Sequence, residues 1–395
     1  MRSVMRLGAL LLPVVFFSIT RLSLGADKGV LYLQKLEPYP FVIVVPATIG
    51  GTARPFLLNT GVRFHILDST LKGLLGPYIE SRPVTDGGNT GEMRLFEAPE
   101  IAVGGWKFAG IEAGVTDFDR IRDMFGMDLR GVIGVDAMKE CAVSLDFDHK
   151  ALKILKGNPS LANGMQTMDL GMNKAGSPMI QAMLGGKTMQ FVIDTGFDGY
   201  IGLPHDVFEG MVADGMIKEE ETGGVQSETA GGAMTQLPAH FTKGRLLGVD
   251  LTNIPVRDAH LFSNIGVGFL LDFDVVIDFK NLKFHYKDRG AEPPIAAHKM
   301  FGANLRYPRG HNHVYYVSRN AGAALDAGFK VWDHIVRLGP LKEGEINDIA
   351  IYELCLNHAG ETLEVEIQRP GEERPIVTQL KLPEKIYAYQ PRETK

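Results

Sequence analysis

The chain has 395 residues, 45% of them hydrophobic and 22% charged, with 41 Lys+Arg against 47 Asp+Glu and a formal net charge of −6. Those are the proportions of an ordinary globular protein, and the acidic balance argues against nucleic-acid phosphate as a partner. Two cysteines, Cys141 and Cys355, are too few for a disulfide-dense scaffold or a multi-Cys zinc site, and the 46 glycines predict many tight turns between short strands.

At the N-terminus, Arg2 and Arg6 precede an apolar run at positions 7–19, and small residues follow at Ser23 and Gly25. That order is the pattern of a secretory signal, with cleavage expected after Gly25. Thirteen helical residues reach only about 20 Å, too short to span a bilayer. The alternative is an uncleaved membrane anchor. Removing residues 1–25 takes away Arg2, Arg6 and Arg21 and no acid, so the mature chain is more acidic still. It is expected to be exported, periplasmic or secreted, with no membrane contact and two buried free thiols.

Short apolar strands are predicted at 42–49 and 56–58 around Gly50-Gly51. They are predicted again at 179–184 and 191–193 around Gly185-Gly186. The two hairpins are copies. Residues 47–61 (ATIGGTARPFLLNTG) align without gaps on 182–196 (AMLGGKTMQFVIDTG) at an offset of 135, with six identities. Residues 131–147 align on 263–279 at an offset of 132, again with six. Two matched blocks in one order imply two homologous lobes, 31–157 and 158–290. Each ends in a second hairpin, 141–155 and 275–286, and short helices are predicted around Met124 and Phe208.

The chemistry lies after the second strand of each lobe. In lobe 2, Phe191-Val192-Ile193 runs into Asp194-Thr195-Gly196. A buried strand delivers a carboxylate to a turn, the Thr hydroxyl is placed to bond across to its symmetry mate, and Gly permits close backbone approach. This device, duplicated, resembles the aspartic-peptidase family, retropepsin-like and pepsin-like, in its bacterial form with two lobes on one chain. The resemblance covers roughly residues 31–290. It implies a mainly β fold of two homologous retropepsin-like β-barrel lobes, the bilobal acid-protease fold. It assigns the catalytic turns to Asn59, Thr60, Gly61 and Asp194, Thr195, Gly196. Val132-Ile133-Gly134 and Asn264-Ile265-Gly266 resemble the element that packs beneath them, although Asn264 departs from its apolar first position. Gly87 and Gly88 in 85–91, and Gly231 and Gly232 in 223–232, fall in Gly-rich stretches that match substrate-covering flaps or else plain surface turns. Arg63 and Asp198, at equivalent positions with opposite charge, are expected on the cleft floor, one touching peptide backbone or the other lobe, or else as a solvated pair.

One departure matters most: lobe 1 carries Asn59 where the family has its first catalytic Asp. Two close carboxylates share one proton, so that one activates water while the other donates to the carbonyl oxygen. An Asn side chain hydrogen-bonds but neither takes up nor delivers that proton.

After a linker-like stretch at 291–297, residues 298–385 resemble a small α+β PDZ domain of bacterial type. The resemblance rests on Ala323-Ala324 and on Ala327-Gly328-Phe329-Lys330-Val331-Trp332-Asp333, where Trp332 replaces the usual Gly. It implies a carboxylate-binding loop at Phe301, Gly302, Ala303 and Asn304. It also implies a groove helix presenting Ile346, Ala350 and Leu354 to an extended C-terminal peptide. No cofactor and no metal is implied; His311-Asn312-His313 reads as a polar turn. Two functions follow. One is an exported aspartic-type endopeptidase with a peptide-recruitment domain, its activity weak or absent because of Asn59. The other is a catalytically inactive pseudopeptidase that binds peptide or protein. The expected partner is a polypeptide substrate or a C-terminal peptide ligand.

Overall fold

The computed structural model describes residues 30–35, 42–86, 89–104, 106–147, 151–219, 225–229, 232–236, 239–260, 262–289, 303–306, 316–320, 322–330 and 332–382. The signal-like segment, the 291–297 linker, Phe301, Gly302 and the His-Asn-His triplet lie outside them. Among the described residues no helix is long and apolar enough to cross a membrane.

Lobe 1 contributes β1 (Val30–Lys35), the hairpin β2 (Val44–Ile49) and β3 (Thr52–Leu58), and β4 (His65–Asp68). The long hairpin β5 (Tyr78–Asp86) and β6 (Asn89–Glu97) follows, then α1 (Asp119–Phe125), β7 (Gly131–Ile133), β8 (Cys141–Asp146) and β9 (Ala151–Lys156). Along β2 the alternation is regular, with Val45, Ala47 and Ile49 buried, which is the period of a strand with one face on a core. The β2–β3 turn places Gly50 and Gly51 at φ 56° and 78°. Both central residues of such a tight hairpin turn need positive φ, which only Gly adopts freely.

Lobe 2 repeats the plan. It contains β10 (Gln166–Asp169), the hairpin β11 (Pro178–Leu184) and β12 (Lys187–Asp194), β13 (Ile201–Pro204) and α2 (His205–Ala213). The hairpin β14 (Val225–Thr229) and β15 (Gly232–Gln236) is followed by β16 (Asn264–Gly266), β17 (Phe273–Asp278) and β18 (Lys283–Asp288). Its first hairpin turn, Gly185-Gly186, has φ 59° and 77°, the same geometry as lobe 1.

The lobes are joined by one six-stranded sheet in the order β1-β9-β8-β17-β18-β10. At its centre β8 and β17 run antiparallel, pairing Val143 with Ile277, Ser144 with Val276 and Leu145 with Val275. Under the 132-residue offset the Val143–Ile277 pair maps onto Leu145–Val275, and Ser144 maps onto its own partner Val276. The repeat therefore becomes a pseudo-twofold axis that passes between Ser144 and Val276. Cys141 sits buried in this sheet, and burial pushes its thiol far above the ordinary range. One hydrophobic core runs through both lobes and includes Ile133, Ile193, Ile265 and Phe269. The mainly β, bilobal architecture expected from the sequence is the one found.

A second core lies in the C-terminal unit. Its elements are β19 (Ala303–Arg306), β20 (Tyr316–Asn320), β21 (His334–Leu338), α3 (Asp348–Asn357), β22 (Thr362–Gln368) and β23 (Ile376–Lys381), with the strands in one sheet. Cys355 is buried here, its thiol pushed up to about 12 by burial. The unit meets both lobes: α3 packs on α1, and β14 approaches β19 and β20. At the first contact the Asn347 amide lies against Gly126, where an added Cβ would fall 2.3 Å from its Nδ2.

Trp332 is held at φ 76° with its side chain half exposed. A left-handed backbone costs a non-Gly residue roughly 1–2 kcal/mol. Trp332→Gly is therefore expected to stabilise the C-terminal unit by about 1 kcal/mol, read as a higher urea midpoint.

In lobe 2, Asp272 is 2% exposed, and neither of its carboxylate oxygens has a hydrogen-bond partner among the described residues. Burial, reinforced by Asp288 and opposed by Arg289, pushes its carboxyl from 3.8 up to about 7. Between those values the folded protein holds a proton that the unfolded chain has released. Its stabilising contribution is complete below about pH 4 and is lost as pH rises towards and past 7. Urea unfolding at pH 5 and pH 8 should show that slope, and Asp272→Asn should flatten it and raise stability at pH 8.

Candidate functional site

Each lobe ends its second hairpin strand in a turn supported from below by a short parallel strand. In lobe 1, β7 pairs with β3, Val132 against Leu57 and Ile133 against Leu58, and the Asn59 amide donates to Ile133 O at 3.0 Å. In lobe 2, β16 pairs with β12, Val192 against Asn264 and Asp194 against Gly266. Buried strands on both sides thus fix the place at which each side chain leaves the sheet.

The two turns interlock through their threonines. Thr60 Oγ1 donates to Ile193 O at 2.5 Å, and Thr195 Oγ1 donates to Leu58 O at 2.7 Å. In return the Thr60 amide donates to Thr195 Oγ1 and the Thr195 amide to Thr60 Oγ1, each at 3.0 Å. Thr60 is fully buried and Thr195 is 2% exposed. Their hydroxyls are committed to joining the lobes.

That lock brings Asn59 and Asp194 to the meeting line of the lobes. The Gly61 amide donates to Asn59 Oδ1 at 2.7 Å and the Gly196 amide to Asp194 Oδ1 at 2.9 Å. Each side chain then crosses to the glycine of the opposite turn. An added Cβ on Gly61 would lie 2.4 Å from Asp194 Oδ1, and one on Gly196 would lie 1.9 Å from Asn59 Nδ2. A side chain at either place would have to displace the opposing Asp194 or Asn59. Both side chains are half-buried, so the line between the lobes presents one amide and one carboxyl in equivalent positions. The Asn264 side-chain amide comes to 3.4 Å from Asp194 Oδ2, and Ser177 Oγ donates to Gly61 O at 3.0 Å.

Arg63 and Asp198 do not meet. Arg63 pairs with Asp136 at 3.2 Å and lays its stem over Gly176 of lobe 2, where an added Cβ would fall 2.8 Å from its Cδ. Asp198 pairs with Arg257 at 3.0 Å, whose guanidinium lies 5.3 Å from the centre of the Phe197 ring. Each charge is thus neutralised within its own lobe. Of the residues described in the two Gly-rich stretches, Asp86 pairs with Asn89 and Thr229 with Gly232. Gly232 opens β15, while Gly87, Gly88 and Gly231 fall outside the described residues.

The groove expected in the C-terminal unit is corrected at two positions. Ile346 has no exposed surface and Leu354 is 5% exposed, both within the unit's core. Ile346 directly precedes the helix cap Asn347, whose Oδ1 accepts from the Ala350 amide at 2.9 Å. An apolar residue before the cap packs with the one five positions on, here Ile351 in the same core. Ala350 is half-buried. Ala303 and Asn304 form the start of β19, paired with Asn320 and Arg319, and so belong to a strand rather than a loop. A cavity of about 330 Å³ lies where this unit meets lobe 1, lined by Arg122, Asp123, Met127, Asp128 and Asn347 among others.

Ser177 gave no signal in the sequence, because its partner is a carbonyl 116 residues away. Asn264 did give one, as the polar residue in an apolar element.

No protein-family model matches the chain, and no curated protein matches it. Among solved structures it is similar to the crystal structure of an aspartic proteinase from Irpex lacteus, at 15% sequence identity and a TM-score of 0.39. The similarity covers 66% of this chain and 96% of that one.

Proposed function

We propose that the chain is an exported protein of the aspartic-type endopeptidase family that seats an extended polypeptide between its lobes and cleaves it very weakly or not at all. The observation that carries the reading is the pairing of Asn59 with Asp194 at equivalent, interlocked turns. Asp194 serves as the general base toward water, and Asn59 offers hydrogen bonds to the peptide carbonyl. The proton that the second carboxyl would deliver to that carbonyl has no carrier at position 59. The same residue favours the second reading, a peptide-binding pseudopeptidase with no cleavage at all.

In this proposal the C-terminal unit acts as a PDZ-like recruiter, taking a polypeptide's free C-terminus as an added strand. Its approach to both lobes supports a direct hand-over of the captured chain. Residues 1–25 direct export.

The test uses the chain without residues 1–25 and an unfolded protein substrate at acidic and neutral pH. Trace cleavage by the native sequence should disappear in Asp194→Asn while peptide binding persists. Cleavage that survives Asp194→Asn would place the activity elsewhere. Binding without any cleavage would select the pseudopeptidase.

A further inference from the structure

Asn264 is half-buried on β16, paired with Val192 of the strand that leads into the lobe 2 turn, and the equivalent residue of lobe 1 is Val132. In one orientation its Nδ2 donates to Asp194 Oδ2 at 3.4 Å. Its Oδ1 then faces two other acceptors, the carbonyl oxygens of Ser263 and Phe262. Rotated half a turn about its terminal bond, Asn264 places Nδ2 at 3.2 Å from Ser263 O and 3.1 Å from Phe262 O. Its own oxygen is then turned towards Asp194.

An amide oxygen against a carboxylate oxygen is repulsive unless a proton lies between them. The first orientation therefore suits ionised Asp194. The second suits protonated Asp194, whose Oδ2–H donates to Asn264 Oδ1. We propose that Asn264 is a positioning residue whose amide orientation is linked to the protonation of Asp194. It gives that carboxyl a hydrogen-bond partner in both states, in place of the second carboxyl that position 59 lacks.

The inference rests on the reading of Asp194 as the acidic group of the cleft. The charged residues two positions beyond each turn are paired within their own lobes. Arg63, beyond the lobe 1 turn, pairs with Asp136, and Asp198, beyond the lobe 2 turn, pairs with Arg257. β16 itself, Asn264-Ile265-Gly266, carries no charge. The ionised arrangement leaves Asn264 Oδ1 against two carbonyls, whereas the protonated one leaves no such clash. Asn264 thus favours the proton on Asp194.

The experiment is a pH titration by NMR of the chain without residues 1–25, with Asp carboxyl carbons and Asn side-chain amides labelled. In the native sequence the Asn264 side-chain signals should move with the same midpoint as the Asp194 carboxyl carbon. In Asp194→Asn they should become independent of pH. In Asn264→Ala the Asp194 midpoint should move to lower pH while the other carboxyls stay in place. Asn264 signals that stay flat through the Asp194 transition would overturn the proposal, and so would an unmoved Asp194 midpoint in Asn264→Ala. The first readout needs no variant, so a folding defect cannot obscure it. A failure of peptide binding or cleavage would sink the functional reading and leave this titration unaffected.

Discussion

Asn59→Asp is expected to raise cleavage of an unfolded protein substrate at acidic pH by about 10²–10⁴-fold, the usual worth of a positioned general acid or base. The substitution is isosteric, so the turn has no reason to move. The Gly61 amide that now donates to Asn59 Oδ1 at 2.7 Å would donate equally well to a carboxylate oxygen. The threonine lock beneath is untouched, because it is built from Thr60, Thr195 and backbone carbonyls. The new carboxyl would stand across the pseudo-twofold axis from Asp194, each lying over the other turn's glycine. Two carboxylates in that arrangement share a proton, which supplies both a base and an acid. Rates measured from pH 3 to pH 8 should acquire the bell shape of such a pair. An Asn59→Asp protein that folds, binds peptide and remains inert would show that something other than the missing carboxyl limits the chemistry.

Asp68→Asn is expected to destabilise the protein by about 3 kcal/mol at neutral pH, the scale for removing one partner from a buried ion pair. Asp68 has no exposed surface. It accepts from the amides of Thr70 and Phe118 at 3.1 Å, pairs with Arg122 at 2.7 Å and meets Arg130 at 3.3 Å. Burial alone pushes this carboxyl up. Hydrogen bonds from Thr70 and Arg122, with the charge of Arg122, outweigh it and bring the carboxyl from 3.8 down to about 2. The stabilisation is therefore present above about pH 4 and lost as pH falls towards 2. Asp272 in lobe 2 acts in the opposite sense, so acid should weaken lobe 1 while it relieves lobe 2. Arg122 belongs to α1, whose C-terminal Gly126 seats Asn347 of the C-terminal unit. Asp68→Asn should therefore also speed proteolysis between lobe 2 and that unit. Urea unfolding at pH 7 reads the main effect, and a loss well below 1 kcal/mol would mean that the two arginines find other partners.

The repeat was legible because strand and turn chemistry is local. Two Gly-Gly hairpins and two apolar strands running into Asn-Thr-Gly and Asp-Thr-Gly showed where the two equivalent turns lie, and the repeat offset carried over unchanged as the symmetry of the central ladder. The groove residues of the C-terminal unit were harder to place. Ile346 is an apolar residue beside a helix, and the hydrophobic pattern alone does not say whether it faces a groove or the core; the cap at Asn347 turns it inward. Opposite charges at Arg63 and Asp198 suggested a shared cleft floor. Their partners, Asp136 and Arg257, lie 73 and 59 residues away, and pairings at that distance leave no periodic trace.

What the sequence by itself determined is the duplicated β plan and the presence of Asn59 at the position equivalent to Asp194, since both are carried by residue identity and spacing. What only the tertiary structure decided is the company Asp194 keeps. The lobes had to close through Thr60 and Thr195 before Asn59 came to lie over Gly196 and Asp194 over Gly61. β16 had to pair alongside β12 before a polar residue in an apolar strand became a neighbour of that carboxyl. Hydrogen bonds act over about 3 Å, and only the folded chain brings residues 70 to 137 positions apart within that range.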